Sequence, residues 1–198
     1  IRDRNRWLAV LPDMMMKRLP LTALLTAVLI GLPTVDTRSE TVLSDGEKKQ
    51  IVYQMYADGK KDFPEVKDLS PQQVMDRMKK GDVVLVDTRK PAEMQVSMLP
   101  GAITKKEYLL EPGRYNDLTV ISYCTISYRS GVFARNMAKQ GFTIYNLRGG
   151  ILAWTLEGGS VYDPDGQTTR QIHVFGKRWN YAPHGYQTVR FSLWEQLF

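Results

Sequence analysis

Uninterrupted apolar stretches and helix-spaced apolar positions alternate along most of this chain. Residues 83–86, 118–123 and 143–147 are runs rich in valine, isoleucine, leucine and tyrosine. They have the character of strands buried on both faces of a parallel sheet. Outside the runs the spacing becomes helical. Ser70, Pro71 and Gln73 supply a cap, a proline at the first helical position and a return partner; Val74, Met75 and Met78 then share a face, and Gly81 closes the helix. Ser44 and Glu47 have capping-box spacing for an earlier helix running to about Ala57. A further helix is expected from near Ser130 to Gly141, and a short one over 150–156 after a turn at Arg148, Gly149 and Gly150. Alternation of strands and helices predicts an α/β layer fold with a mostly parallel central sheet flanked by helices.

The N-terminal region stands outside that pattern. Lys17 and Arg18 precede an uncharged stretch at 19–35, densest in apolar residues at 24–32, which reads as the charged and apolar parts of an export signal. Pro20, Gly31 and Pro33 interrupt it, it is short for a spanning helix, and no clean small-residue cleavage site follows. A cleaved signal peptide, an uncleaved membrane anchor and a buried helix of the fold are the readings open to it, with export expected, to the periplasm or to the membrane surface. The expected organisation is an upstream, disordered extension at 1–15, signal peptide or anchor at 16–35, linker and N-terminal helix at 36–63, the α/β domain at 64–159, and a C-terminal extension at 160–198 that packs on the domain.

With 198 residues, 43% of them hydrophobic, the chain supports one core of ordinary domain size. Its net charge of +6 is spread without a long basic run, so no nucleic-acid footprint is expected. A single cysteine, Cys124, excludes an internal disulfide and a zinc site of several cysteines. His173 and His184 lack acidic or cysteine neighbours, and the stretch from Asp163 to Gly166 opens like a calcium loop without its later ligands, so no metal is expected. Cys124 is then either a buried core thiol or a reactive one. It stands at the carboxyl end of a predicted strand, before a short loop and a helix, at the sheet edge where ligands bind. Amides curling into a helix N-terminus and the guanidinium of Arg129, the one charge of the loop, favour an anion there, the thiolate included.

Four segments in order carry a family resemblance. They are the residues at 84–89 with Pro91 and Glu93, the residues at 99–103, the loop from Cys124 to Arg129, and the residues at 145–154. Together these resemble a rhodanese homology domain, over about half the chain. The resemblance implies a sulfurtransferase without a cofactor. Its cysteine accepts a sulfane sulfur from a donor such as thiosulfate, holds it as a persulfide and passes it to a thiophilic acceptor such as cyanide or a thiol. By position, Cys124 and Arg129 take the catalytic roles, and Thr125, Ile126, Ser127, Tyr128 and Ser130 border the substrate. The chain departs from the family by having Ser97 and Met98 where a glycine-histidine pair is usual, and Ile126 and Ser127 in the loop. Related phosphatases have one residue more between cysteine and arginine than the four found here, so the smaller hollow fits sulfur better. Asp87 and Arg89 are expected to form a structural pair near the site, Glu93 to be structural and Trp154 to lie in the core. The alternating tail at 172–179 is expected to pack on the domain rather than over the loop. A rhodanese-like module that has lost catalysis and binds a partner protein is the rival reading.

Overall fold

The computed structural model describes residues 42–192 and Glu195. The signal-like stretch and the extension before it lie outside the described residues. No helix among those described is long and apolar enough to cross a membrane.

Local signals place the elements. Helices α1 (Asp45–Lys60) and α2 (Pro71–Met78) begin at complete capping boxes, Ser44 with Glu47 and Ser70 with Gln73, which satisfy N-terminal amides that no helical carbonyl can reach. α1 runs beyond the expected end at Ala57, and the Lys60 ammonium in its last turn lies 2.5 Å from the Asp68 carboxylate. Five strands, β1 (Asp68–Leu69), β2 (Val83–Asp87), β3 (Ile103–Thr104), β4 (Thr119–Tyr123) and β5 (Tyr145–Leu147), form one parallel sheet in the order β1-β5-β4-β2-β3. The two longest strands pair at its centre, with Leu85 opposite Ile121 and Val86 opposite Ser122. The remaining helices are α3 (Pro91–Met94), α4 (Lys105–Leu110), α5 (Tyr128–Ala138) and α6 (Gly150–Leu156).

Successive strand side chains point to opposite faces, so the apolar runs feed two cores. Leu85, Ile121 and Tyr123 pack with Val52 of α1, Val74 of α2 and Ile151 and Leu152 of α6 on one face. Val84, Val86 and Val120 pack with Tyr108 of α4 and Phe133, Ala134 and Met137 of α5 on the other. Helices thus cover both faces of the sheet, the α/β layer fold with a parallel central sheet that the hydrophobic pattern predicts. Trp154 is buried in the first core, and its indole N–H donates to the Ser160 carbonyl at 2.8 Å.

After α6, β6 (Val161–Tyr162) and β7 (Thr168–Thr169) form a hairpin. Its turn is headed by Asp163, whose carboxylate accepts the amides of Asp165 and Gln167 at 3.1 and 2.8 Å, an ordinary Asx arrangement. Among the described residues no group of three or more His, Cys, Asp or Glu could hold a metal. β8 (Gln171–His173) pairs in parallel with β9 (Gln187–Val189), and Ile172 and Val174 enter the first core.

Gly131 of α5 faces the Phe63 ring, and a Cβ at this position would overlap that ring. Alanine is favoured over glycine by about 1 kcal/mol in an unconstrained helix. Here Gly131→Ala is expected to destabilise the protein by about 1–3 kcal/mol through overpacking. Urea unfolding measures the sign, and a gain in stability would contradict this packing.

Candidate active site

Cys124 directly follows β4 at the carboxyl edge of the sheet. The loop after it turns into α5 through Ser127, whose φ of 78° is left-handed. The loop's carbonyls and amides go to different places. The Cys124 and Thr125 carbonyls accept the amides of Ile151 (2.9 Å) and Leu152 (3.3 Å) in the first turn of α6. Gly150 makes this approach possible, because its φ is 60° and a Cβ would overlap the Cys124 carbonyl oxygen. By contrast, the amides of residues 125–130 have no acceptor among the described residues, and the first bond of α5 is Gly131 N–H to the Ser127 carbonyl at 3.0 Å. Unpartnered amides at a helix N-terminus form an anion-binding hollow.

A buried polar network holds the loop to the sheet. Ser122 donates to the Ser130 and Tyr145 carbonyls at 3.2 and 3.3 Å, and Ser127 donates to the Leu147 carbonyl. Ser130 donates to the Asn146 side-chain oxygen at 2.7 Å, while the Asn146 amide group donates to the Ser127 carbonyl at 3.1 Å. All four side chains are buried. The expectation that Ser127 and Ser130 border the substrate is therefore corrected for their side chains. The left-handed turn at Ser127 directs both hydroxyls into the domain, where they support the loop. Thr125, Ile126 and Tyr128 do line the cavity beside Cys124.

Arg129 reaches across this hollow. It donates to both oxygens of Glu93 at 2.6 and 2.7 Å and to the Thr125 hydroxyl at 3.1 Å, and it lines the same cavity as Cys124. Burial raises the Glu93 pKa, but the Arg129 hydrogen bonds and charge, the Lys90 amide and Arg89 outweigh it and hold the carboxyl below its ordinary value. Burial likewise lowers the Arg129 pKa, and its bonds to Glu93 and its proximity to the Cys124 sulfur and Glu93 outweigh this, so the guanidinium stays charged.

The cavity has a volume of about 440 Å³. Cys124, only 1% exposed, lines it with Arg129. Met55, Tyr56, Asp58 and Gly59 of α1 form another part of its wall, and Phe175, Arg178 and Trp179 of the extension complete it. The tail does both: Ile172 and Val174 pack inward and Trp179 packs against the same core, while Phe175 and Trp179 also line the site, so the tail reaches the loop as well as the domain. Phe175 has a left-handed φ of 65°, a conformation that costs about 1–3 kcal/mol. Its ring lies 5.0 Å from the Arg129 guanidinium and makes edge contacts with Trp179 at 5.3 Å and Phe191 at 5.5 Å. His173 is buried beside Phe191 and accepts the Phe175 amide at Nδ1 (3.0 Å). Burial chiefly, with Arg89 and Arg129 acting in the same sense, lowers its pKa against the opposing pull of Glu93 and Glu195.

Residues 70–157 match the Rhodanese-like domain family. A sulfurtransferase of Allochromatium vinosum is 37% identical over 90 residues, 43% of this chain and 83% of that protein. The chain belongs to the rhodanese family. Among solved structures, thiosulfate sulfurtransferase from Pseudomonas aeruginosa is 22% identical, with 63% of this chain and 24% of that one covered and a TM-score of 0.44. A rhodanese-related protein from Thermoplasma volcanium is 21% identical, with 48% and 96% covered and a TM-score of 0.42.

Within the rhodanese domain, Asp87 and Arg89 pair with each other. Both side chains are fully buried, and Arg89 donates to Asp87 at 2.7 and 3.0 Å and to the Ser97 carbonyl at 2.5 Å. Ser97 stands where the family usually has its glycine. Glu93 does more than stabilise the fold, because it orients the loop's one cation. Asn146 carried no expected role, although its place beside Leu147 in the recognised motif was a signal; the alternation of the tail leaves both the core and the loop mouth open to its aromatics, and nothing local in the sequence brings Arg178 or α1 to the cavity.

Because the Glu93 carboxyl is depressed in the folded state, the stability it contributes is present above the unfolded value, about 4.3, and is lost as pH falls through the lower folded one. Glu93→Gln is expected to cost about 1–3 kcal/mol at pH 7. The gap between wild type and variant should close as pH falls below about 4. Denaturant unfolding across this window measures it, and a gap independent of pH would show that the carboxylate charge plays no part.

Proposed function

We propose that the protein is a sulfurtransferase in which Cys124 carries a sulfane sulfur as a persulfide. Family membership and the relative named as a sulfurtransferase support sulfur transfer in general. The single observation that carries the finer reading is the set of acceptor-free amides at 125–130 around a cysteine that lines a cavity together with Arg129.

In the first half-reaction the Cys124 thiolate attacks the outer sulfur of thiosulfate. The sulfur–sulfur bond of the donor breaks, sulfite leaves with the bonding pair, and the protein holds Cys124–S–S⁻. The outer sulfur keeps a negative charge, which the loop amides and Arg129 stabilise. In the second half-reaction cyanide or a thiolate attacks that sulfur, and the bonding pair returns to Cys124. Glu93 and Asn146 act as positioning residues, the first through Arg129 and the second through the loop backbone. Ser122, Ser127 and Ser130 belong to the same support.

Thiosulfate treatment is expected to add the mass of one sulfur to the wild-type protein, removable by thiol. Turnover from thiosulfate to cyanide should be lost in Cys124→Ser, a drop of at least about 10³-fold for a missing nucleophile. Equal turnover in the two proteins would remove Cys124 from the reaction, and wild-type protein that never gains the sulfur would favour the partner-binding module.

A further inference from the structure

The wall contributed by the C-terminal extension is larger and more apolar than a small inorganic anion needs. A cavity of about 440 Å³ lies in the size range, about 300–1,000 Å³, of pockets that enclose whole organic molecules. Thiosulfate and cyanide need polar donors, which the loop supplies, and gain little from Met55, Ile126, Phe175 and Trp179. Phe175 and Trp179 meet edge to face at 5.3 Å, the first of them in a strained backbone conformation, so an ordered aromatic corner stands beside Cys124.

The charges around the cavity point to the rest of the ligand. Arg129 is engaged by Glu93 in two hydrogen bonds, and Asp58 pairs with Lys61 at 3.0 Å. Arg178 is exposed on the same wall and has no hydrogen-bond or ion-pair partner among the described residues. A guanidinium with its donors unused, next to an aromatic surface, suits a planar carboxylate at the far end of an apolar body.

We propose, resting on the reading of Cys124 as the sulfur carrier, that Phe175, Arg178 and Trp179 select as sulfur acceptor an organic thiol with an apolar body and a terminal carboxylate. The thiol loses its proton to solvent on entry, and its sulfur attacks the outer sulfur of Cys124–S–S⁻. The persulfide bond breaks, its electron pair returns to Cys124 as thiolate, and the acceptor leaves as R–S–S⁻. The carboxylate stays on Arg178 and the hydrocarbon on Trp179 and Phe175 throughout, so the acceptor is oriented without drawing on the loop amides.

The test uses the full chain loaded with sulfur from thiosulfate and checked by mass. Single-turnover transfer is then measured to two aromatic thiols of similar basicity, para-mercaptophenylacetate and the uncharged para-thiocresol. Wild type is expected to prefer the carboxylate by about fivefold, the effect of one partly exposed charge pair. Arg178→Met should abolish that preference, and Trp179→Leu should slow both thiols by about threefold to tenfold while leaving their ratio in place. Equal rates in wild type, or a preference that survives Arg178→Met, overturns the proposal. Failure to load sulfur at all overturns the carrier reading, and this inference with it.

Discussion

Two helix N-termini meet at the Cys124 loop and treat its backbone in opposite ways. The first turn of α6 takes the Cys124 and Thr125 carbonyls, and the loop then runs into α5 with the amides of residues 125–130 left without acceptors. Leaving a buried carbonyl unpaired costs about 1–3 kcal/mol, so α6 fixes the peptide planes firmly. Gly149 and Gly150, at φ 75° and 60°, let the helix start close enough to do so. Once the carbonyls are committed to one side, the amides are available to an anion near the cysteine. The chemistry of the site is thus set by backbone direction before any side chain is considered.

Side chains then refine it. Glu93 holds Arg129 against the loop through two short bonds, and the guanidinium lies over the Phe175 ring at 5.0 Å. With Arg129 balanced by Glu93, the sulfur charge of the proposed persulfide would be met by one shared cation and by dipoles that need no reorganisation. Asp87 and Arg89 neutralise each other inside the domain beside this constellation. The C-terminal extension, anchored in the core by Ile172 and Val174, turns an open sheet edge into a cavity of defined size.

Most of the architecture was legible because it rests on local signals. The capping boxes at Ser44 and Ser70, the apolar runs in β2 and β4 and the glycine pair that starts α6 each state their structure within a few residues. Cys124 was legible for a similar reason, since its strand, loop and helix are contiguous. What stayed hidden depends on distant partners or on one dihedral angle. The hydroxyls of Ser127 and Ser130 looked available until the left-handed turn at Ser127 aimed them at Leu147 and Asn146. Glu93 lies 36 residues before Arg129, and no periodicity joins them. Phe175 follows the core residues Ile172 and Val174 as in any amphipathic strand, and Trp179 lies in a 3-10 turn at Lys177–Trp179, so only the fold could show that both meet the cavity.

The central claim is that an anionic sulfur on Cys124 is held by the amides that α6 leaves free. Heteronuclear NMR before and after thiosulfate loading tests it most directly, with uptake of sulfur verified by mass. The amide proton signals of residues 125–130 are expected to shift downfield together and to return when a thiol removes the sulfur. A protein that takes up sulfur on Cys124 while those amides stay unmoved would contradict the account.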